Sequence, residues 1–372
     1  MKLLRVRASN YKGCIDDFTI DLTAKSKKTS EDKEYELQEI AEGLYRFNTV
    51  AIVGKNASGK TSAIELLEIA YDILSLFRLK RKFFNFDNTL LDITFYFEGY
   101  IYNYKTTLRK SSLFENRSIF EDQRIYKKKY FKSNIKNIYE KDGFEEIKLD
   151  GELPEDISSV FFILKKADVR NIFFDCHMRE AESYSLLFRS IKTFDISNDI
   201  FMSILRIFDE NINTIKMIDE THFEINYLGN TETLSNEELV YMLSSGTTKG
   251  MYVYISAIAA LKYGFDLLID EIENHFHKTL VENLISLFKD KSVNRKNSSI
   301  IFTTHYCELL DLTNRSDNIF ITTSEKKITI NNMYERYSIR TDLLKSKKFY
   351  ENTFNTAVNY DELMNLKGLL LQ

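Results

Sequence analysis

Several residue types are scarce in this chain, and each scarcity excludes a class of protein. Tryptophan is absent, the single proline is Pro154, and only 12 of 372 residues are glycine, so long flexible linkers are not expected. The cysteines, Cys14, Cys176 and Cys307, form no CxxC pair, so neither a disulfide framework nor a zinc site is indicated. No apolar run is long enough to cross a membrane, and the N-terminal residues lack the apolar core of a signal peptide. The net charge of −4 does not favour a nucleic-acid coat protein. We therefore expect a cytoplasmic protein that does not contact a membrane.

The most informative segment is residues 54–61, the phosphate loop, which read GKNASGKT and fit the pattern G-x-x-x-x-G-K-[ST] at every fixed position. A β-branched run at 49–53 predicts a buried strand before it, and apolar residues at helical spacing predict a helix over 62–77. Backbone N–H groups of a glycine turn, together with the helix dipole, attract a phosphate. Lys60 can reach the β- and γ-phosphates, and the Thr61 hydroxyl can ligate Mg²⁺. The predicted nucleotide-binding residues are Gly54, Lys55, Asn56, Ala57, Ser58, Gly59, Lys60, Thr61 and Ser62.

Further polar residues follow two predicted buried strands, at 265–271 and 300–305. Because parallel sheets bind ligands at the carboxyl ends of their strands, Asp270 is predicted to hold Mg²⁺ through water. Glu271 is predicted to orient or deprotonate an attacking water. A neutral His305 could hydrogen-bond a γ-phosphate or that water. Residues 243–247 read LSSGT and precede a helix predicted at 251–263, which makes a second helix N-terminus suited to an anion.

The motifs GKNASGKT, LSSGT, LLIDE and TTH occur in one order along the chain. In this set and order the chain resembles the ATP-binding cassette ATPases of the SMC, RecF and OLD-like branch. The resemblance covers roughly residues 1–60 and 240–310. GKNASGKT and IDEIENHFHK are similar to bacterial AAA family ATPases, among them the ATPase subunits of Septu and PARIS anti-phage systems. The resemblance implies an α/β P-loop NTPase fold of the cassette type. Such a fold has a mixed central sheet, flanking helices and, here, an inserted α+β lobe without a long coiled coil.

In this family two copies dimerise head to tail around two nucleotides. The resemblance therefore implies ATP and Mg²⁺ as cofactors and a homodimer, or a larger oligomer built on it, joined through the nucleotide sites. The catalytic residues that it implies are Glu271, His305 and Lys60, and the residues that it implies act in trans on the partner's nucleotide are Ser244, Ser245 and Gly246.

The resemblance also leaves two positions near the metal open. Gln123 is the candidate for the glutamine that senses the γ-phosphate and joins Thr61 and Asp270 at Mg²⁺, and the alternative is that it lies in a solvated polar loop. Residues 271–277 alternate ligand types as a metal site would. The resemblance instead assigns Glu271 to hydrolysis, Glu273 to the shape of the following loop, and Asn274 to the loop that crosses to the partner.

Three functions are considered, of which the third is a structural scaffold that binds ATP and hardly hydrolyses it. The first is a Mg²⁺-dependent ATPase that acts as an ATP-gated dimeric switch and controls a separate effector, a nuclease or toxin, in bacterial anti-phage defence. The alternative is a DNA repair or maintenance ATPase of the RecF or SMC kind that binds DNA directly. Residues 124–132 interleave cations with aromatic residues, as phosphate contact and base stacking require, although a solvated loop or hairpin gives the same pattern.

The predicted organisation has four parts: an N-terminal ATPase lobe at 1–110, an inserted middle region at 111–235, a C-terminal ATPase lobe at 236–335 and a helical tail at 336–372. The tail is expected to start with a strand remnant followed by helices. Its apolar end is expected to pack on its own domain, with docking of a partner as the alternative, and comprises Leu363, Leu366, Leu369, Leu370 and Leu371. Alternation and helical spacing predict strand pairs at 2–8 with 18–22, 91–97 with 100–109 and within 212–227, a strand at 158–164, and helices at 180–191 and 200–208.

Overall fold

A computed structural model describes residues 1–28, 35–80, 86–112, 117–149, 151–175, 183–243, 245–274, 277–337, 344–354 and 360–371. The strands are β1 (Lys2–Ser9), β2 (Phe18–Asp21), β3 (Leu37–Ala41), β4 (Leu44–Phe47), β5 (Thr49–Val53), β6 (Thr89–Phe97), β7 (Tyr100–Lys110), β8 (Ser118–Lys129), β9 (Glu145–Glu146), β10 (Asn171–Asp175), β11 (Ile212–Met217), β12 (His222–Tyr227), β13 (Asn230–Ser235), β14 (Asp266–Asp270), β15 (Ser299–Thr304), β16 (Ile319–Ser324) and β17 (Ile328–Asn332). The α-helices are α1 (Lys60–Ser75), α2 (Phe161–Leu164), α3 (Tyr184–Thr193), α4 (Asn198–Phe208), α5 (Asn236–Leu243), α6 (Ser245–Tyr263), α7 (Lys278–Lys289), α8 (Met333–Arg336), α9 (Lys345–Tyr350) and α10 (Tyr360–Leu370).

One six-stranded sheet, in the order β10-β14-β15-β5-β16-β17, carries the motif-bearing strands, and we call it the parallel sheet. Its pairs are parallel except β16 with β17. Every residue of β5, β14 and β15 is buried, as expected for central strands covered on both faces. Because the strands run in one direction, the end of β5 before the phosphate loop lies beside the end of β15 before His305, with Val53 paired to Thr304.

The two faces of the parallel sheet pack into different hydrophobic cores, because side chains alternate along a strand. Val50 and Ile52 of β5 and Leu268 of β14 pack with α1 on one side. Ala51 and Val53 point the other way and pack with helices α3 to α7. The apolar runs in the sequence therefore reflect a sheet enclosed between two layers.

The second six-stranded sheet, in the order β2-β1-β6-β7-β8-β9, is antiparallel throughout. Helix α1 lies between it and the parallel sheet and contacts β1 as well as β5, β14 and β15. Most residues of α1 are consequently buried, whereas a helix on one face of a sheet would bury a single stripe. The start of α1, and with it the phosphate loop, is held from both sides.

The α3 to α6 helices pack together with a three-stranded antiparallel sheet, β11-β12-β13, and β3 pairs with β4 in a separate hairpin. The predicted α/β class with a mixed central sheet and flanking helices is confirmed. Within the described residues the longest helix is α6, with 19 residues, so no long coiled coil occurs there. In the same residues, no helix is long and apolar enough to cross a membrane.

The prediction of a strand at 158–164 is wrong, because the segment forms a turn and the short helix α2. Its apolar run has two fully buried residues, Val160 and Leu164, and these are spaced four apart, as on one face of a helix. The run is too short for its periodicity to distinguish a helix from a strand. Gln123 of β8 also accepts a hydrogen bond from the Ser159 backbone N–H, which fixes the turn before the helix.

The expectation that the apolar end of the tail packs on its own domain is also wrong for the side chains that the structure describes. Met364, Leu366, Leu369 and Leu370 of α10, and Leu371 after it, are exposed rather than packed on the domain, whereas the Leu363 side chain lies outside the described residues. The strand remnant predicted at the start of the tail falls on residues 338–343, outside the described residues. Helix α6 begins earlier than predicted, at Ser245, within the LSSGT segment.

Candidate active site

The phosphate loop joins the end of β5 to the start of α1, and its two glycines are required by their surroundings. A Cβ atom on Gly59 would lie 2.2 Å from Ile328 Cγ2, and Gly59 has a φ angle of +100°. A Cβ atom on Gly54 would lie 2.5 Å from the Thr322 carbonyl oxygen. Both positions therefore exclude larger residues, and the tight turn places the N-terminus of α1 at the edge of the sheet.

Lys60, in the first turn of α1, folds back over the loop. Its Nζ donates to the carbonyl oxygens of Gly54 at 3.0 Å and Lys55 at 3.1 Å, and it lies 3.4 Å from His305 Nδ1. Burial lowers the pKa of Lys60, and the nearby carboxylates of Glu271, Glu273 and Asp270 only partly oppose that effect. Anionic phosphate oxygens at this position would favour the charged ammonium.

Asp270 and Glu271 stand at the carboxyl end of β14 and are joined by a residue of the neighbouring strand. The Thr303 hydroxyl donates to Asp270 Oδ1 at 2.6 Å and accepts from the Glu271 backbone N–H at 2.7 Å. Glu271 itself has a φ angle of +50°, in the left-handed region that non-glycine residues seldom adopt. The chain therefore turns away from β14 at Glu271, immediately after the strand ends at Asp270.

The Glu271 carboxylate lies between two polar side chains. Asn274 Nδ2 donates to Glu271 Oε2 at 2.5 Å, and His305 Nε2 is 3.5 Å from Glu271 Oε1. Glu271 and His305 keep 24% and 33% of their side-chain surface exposed, so both face open space. A carboxylate held in this way can accept a proton from a water molecule or orient it.

These groups share one cavity of about 710 Å³. Its lining residues are Asn56, Ala57, Ser58, Gly59, Lys60, Thr61, Ser62, Glu271, Asn274, His305 and Ile328. The structure thus brings most of the predicted phosphate-loop residues together with the predicted hydrolytic glutamate and histidine. The mixture of backbone N–H groups, a cation and a carboxylate suits a phosphorylated ligand.

The oxygen donors at this edge fit Mg²⁺, which prefers carboxylate and hydroxyl oxygens and retains waters and substrate phosphates as its other ligands. Thr61 is exposed and lines the cavity, and Asp270 ends the adjacent buried strand. In the described part of the chain, no group of three or more His, Cys, Asp or Glu side chains could hold a metal ion. A magnesium ion here would therefore depend on a bound nucleotide for part of its coordination.

The structure does not bring Gln123 to this cavity. Gln123 Oε1 accepts from the Tyr104 hydroxyl at 2.7 Å and from the Ser159 N–H, and Nε2 donates to the Ile157 carbonyl. Its described contacts connect β8 to the turn before α2. A role for Gln123 at the metal stays a prediction.

The trans-acting residues are only partly described. Ser244 and the side chain of Ser245 lie outside the described residues, and Gly246 lies in the first turn of α6. Among the described residues that line the cavity, none comes from the start of α6.

The contacts that Thr303, Glu273 and Ile328 make at the site were not predicted from the sequence, which assigned Glu273 only to the shape of the following loop. Thr303 and Glu273 contact the site through hydrogen bonds between β15 and the segment after β14. Their only local signal is that they neighbour motif residues in TTH and DEIE. Ile328 reaches the cavity because β17 passes beside Gly59, and nothing in its local sequence indicates this contact.

A search of curated proteins finds no match to this chain. A family model described as "AAA domain, putative AbiEii toxin, Type IV TA system" matches residues 50–311, which include the phosphate loop, β14 and His305. The matched range covers more than half of the chain, and its fold and cavity are those of an ATP-binding P-loop domain. The chain therefore belongs to this AAA-domain family.

Proposed function

We propose that this protein is a Mg²⁺-dependent ATPase that acts as an ATP-gated dimeric switch on a separate effector. The observation that carries the proposal is the single cavity that unites Lys60 and Thr61 of the phosphate loop with Glu271 and His305. Phosphoryl transfer needs positioning and charge stabilisation more than covalent chemistry, and this set of residues supplies both.

Each residue has a defined task in the proposed reaction. Backbone N–H groups of the phosphate loop and the Lys60 ammonium bind the phosphates. Thr61 and Asp270 would hold Mg²⁺, which supplies charge neutralisation at the phosphates. Glu271 orients the attacking water or accepts its proton, and His305 and Asn274 hold the Glu271 carboxylate in place.

The dimer is proposed because the start of α6 contributes nothing to the described lining of its own cavity. In the head-to-tail arrangement of the resembling family, Ser244, Ser245 and Gly246 of a second copy would complete the site. ATP would then favour the closed dimer, and hydrolysis would open it. The name of the matched family, which refers to a toxin–antitoxin system, supports a defence setting in which the switch controls a nuclease or toxin.

Two substitutions test the ATPase. Lys60→Ala should abolish nucleotide binding, and Glu271→Gln should retain ATP while lowering turnover by about a hundredfold or more. Turnover, equilibrium nucleotide binding and molar mass by light scattering should be measured together, because Glu271→Gln is expected to accumulate an ATP-bound dimer. Lys216→Ala and Glu232→Gln, both exposed on the β11-β12-β13 sheet, are matched controls. Undiminished turnover in both Lys60→Ala and Glu271→Gln would refute the assignment.

Direct DNA binding remains a second candidate because of a charged groove of about 930 Å³ on the outer face of the antiparallel sheet. Arg7, Asp92, Lys105 and Arg124 form a row of directly paired residues across β1, β6, β7 and β8. Asp92 pairs with Arg7 at 3.0 Å and lies 3.7 Å from the Lys105 ammonium, whereas Arg124 is exposed. Arg124 is therefore the most exposed of the three cations in this row.

The lysine run in β8 is less suited to DNA than its sequence indicates. Lys128 is buried and donates to the carbonyl oxygens of residues 137, 140 and 142. Lys127 lies over the Tyr100 ring and Lys129 over the Phe131 ring. These cations thus make contacts within the chain.

Fluorescence anisotropy with labelled duplex DNA at two salt concentrations decides between the candidates. The DNA-binding candidate requires salt-sensitive affinity that Arg124→Ala weakens more than Lys129→Ala. If the protein binds no DNA at low salt, this candidate is excluded.

A further inference from the structure

Glu273 is a buried carboxylate near the candidate active site that neither the phosphates nor the attacking water would touch. It is 8% exposed, follows Glu271 by two residues, and does not line the cavity. Its Oε1 accepts a hydrogen bond from the backbone N–H of His305, 32 residues further along the chain. Its Oε2 is buried without a hydrogen-bond partner among the described residues.

The bond from His305 to Glu273 extends the pairing of β14 with β15 past the ends of both strands. Within the strands, backbone groups pair in parallel register up to Ile269 and Phe302. Beyond them, the Glu271 N–H donates to the Thr303 hydroxyl and the Ile272 N–H to the Thr303 carbonyl. The Glu273 side chain then takes the place of a backbone acceptor at His305, where the strand has already ended.

The consequence lies at the His305 imidazole. The ring has Nδ1 3.4 Å from Lys60 Nζ and Nε2 3.5 Å from Glu271 Oε1, so it bridges the phosphate loop and the hydrolytic carboxylate. His305 lies just outside β15, and a backbone that could turn freely there would carry the ring away from both partners. Glu273 is the side chain that fixes this backbone N–H.

The energetic cost also points to a role beyond packing. A buried carboxylate with only one of its oxygens hydrogen-bonded is destabilising compared with an apolar residue of similar size. We propose that Glu273 is a positioning residue for ATP hydrolysis, which acts through the His305 backbone to hold the imidazole between Lys60 and Glu271.

The inference rests on the proposed ATPase function, and enzyme kinetics gives the first test. Glu273→Ala should lower kcat about tenfold or more and leave KM for ATP within about twofold, because Glu273 does not line the cavity. Glu273→Gln retains a side-chain oxygen that can accept from the His305 N–H, and should restore kcat to within about threefold of the parent. Glu282→Ala, on α7 and paired with Lys278, is the control for loss of a carboxylate outside the site.

A double-variant cycle separates positioning from general destabilisation. In a His305→Ala background, Glu273→Ala should change kcat by no more than about twofold, since the ring that it positions is gone. Equal losses of kcat in both backgrounds, or a Gln variant no better than the Ala variant, would overturn the proposal. If Glu273→Ala does not fold, Glu273→Asp replaces it, because the shorter side chain keeps the charge but withdraws its oxygens from the His305 N–H.

A measurement without turnover keeps this proposal distinct from the ATPase assignment. The His305 ring signals in the NMR spectrum of the full chain should shift in Glu273→Ala and stay in place in Glu282→Ala. Unchanged His305 signals in a folded Glu273→Ala variant would overturn the positioning role even if the parent protein hydrolyses ATP. Shifted signals together with no ATP turnover by the parent would instead refute only the proposed function.

Discussion

The two ends of strand β14 carry buried aspartates with different surroundings. Asp266, at the amino end, faces a fully buried arginine: Arg46 donates to both of its carboxylate oxygens, at 3.2 and 2.6 Å. Tyr71 and the Ser299 N–H also donate to it. Asp270, the fifth and last residue of the same strand, accepts from the Thr303 hydroxyl and lies next to Glu271, which lines the open cavity.

The pKa of Asp266 shows how complete the compensation is at the amino end. Burial alone would raise it, but the positive charges of Arg46 and Lys2 and the hydrogen bonds from Tyr71 and Arg46 hold it below its usual value. The negative charge of Asp266 is therefore compensated by groups within the protein. At the carboxyl end, the neighbours of Asp270 include a cavity that a metal ion and phosphates could fill, so part of the electrostatic compensation can come from a ligand.

The topology of the parallel sheet explains the difference. The amino ends of its parallel strands lie at one edge, where Arg46 of β4 and Tyr71 of α1 contact Asp266, and the carboxyl ends lie at the other edge, beside the cavity. The same residue type in the same strand therefore stabilises the fold at one end and is available for chemistry at the other.

The largest effect on stability is expected from removing the Arg46–Asp266 ion pair at the amino end of β14. Arg46→Ala leaves Asp266 buried without its charge partner and should lower the free energy of unfolding by about 3–5 kcal/mol. Urea denaturation followed by circular dichroism measures this loss. Lys216→Ala, an exposed cation, is the control and should change stability by less than about 0.5 kcal/mol. A loss below about 1 kcal/mol for Arg46→Ala would show that the two ends are energetically alike.

The carboxyl end should respond in activity rather than in stability. Asp270→Asn keeps the size of the side chain and can still accept from Thr303, so its unfolding free energy should stay within about 1 kcal/mol of the parent. Removal of the charge should lower Mg²⁺-dependent ATP turnover by about a hundredfold. Turnover across a magnesium titration, with denaturation of the same samples, checks both parts. A large loss of stability with intact turnover would reverse the comparison.

The smallest effect on stability is expected at Cys14, where a nearby charge only partly offsets the effect of burial. Burial raises the pKa of the Cys14 thiol from 9.0 to about 11, and the Lys12 charge opposes this only in part. The folded protein then keeps the thiol proton between pH 9 and 11, where the unfolded chain loses it, so stability is complete below pH 9 and falls as the pH rises. The contribution is at most about 1.4 kcal/mol per pH unit.

Comparison of unfolding curves for the parent and Cys14→Ala from pH 8 to 11.5 isolates this term, because tyrosines and lysines titrate in both proteins. The difference in stability between the two should change only above about pH 9. A constant difference over the whole range would contradict the raised thiol pKa.

Local sequence determined the parts of the site that lie within single strand-turn-helix units. The phosphate loop, the strand that ends at Asp270 and the strand before His305 were predicted close to their observed positions, because glycine turns and buried β-branched runs carry their own local signal. The hairpin of β6 and β7 was predicted for the same reason, since its turn at Glu98 and Gly99 separates two alternating runs.

Tertiary structure decided what the remaining residues do. The polar residues of β8 include Gln123, whose amide is bonded to Tyr104 and to the turn before α2, and Lys128, which is enclosed by backbone carbonyls. The segment at 158–164 forms a turn, held by Gln123 at Ser159, and then the short helix α2, whose buried residues are spaced four apart despite the strand-like composition. Such contacts join residues far apart in sequence and leave no periodic trace.

The sequence by itself thus predicted a phosphate-binding glycine turn and two carboxylates at the end of a buried strand. Three contacts were decided only by the folded structure. Thr303 of β15 bonds to the residues at the end of β14, Glu273 accepts from the His305 backbone, and Ile328 packs against the phosphate loop at Gly59. The physical reason is that a motif needs only short-range geometry, whereas each of these contacts depends on the order and register of strands that the sheet brings together.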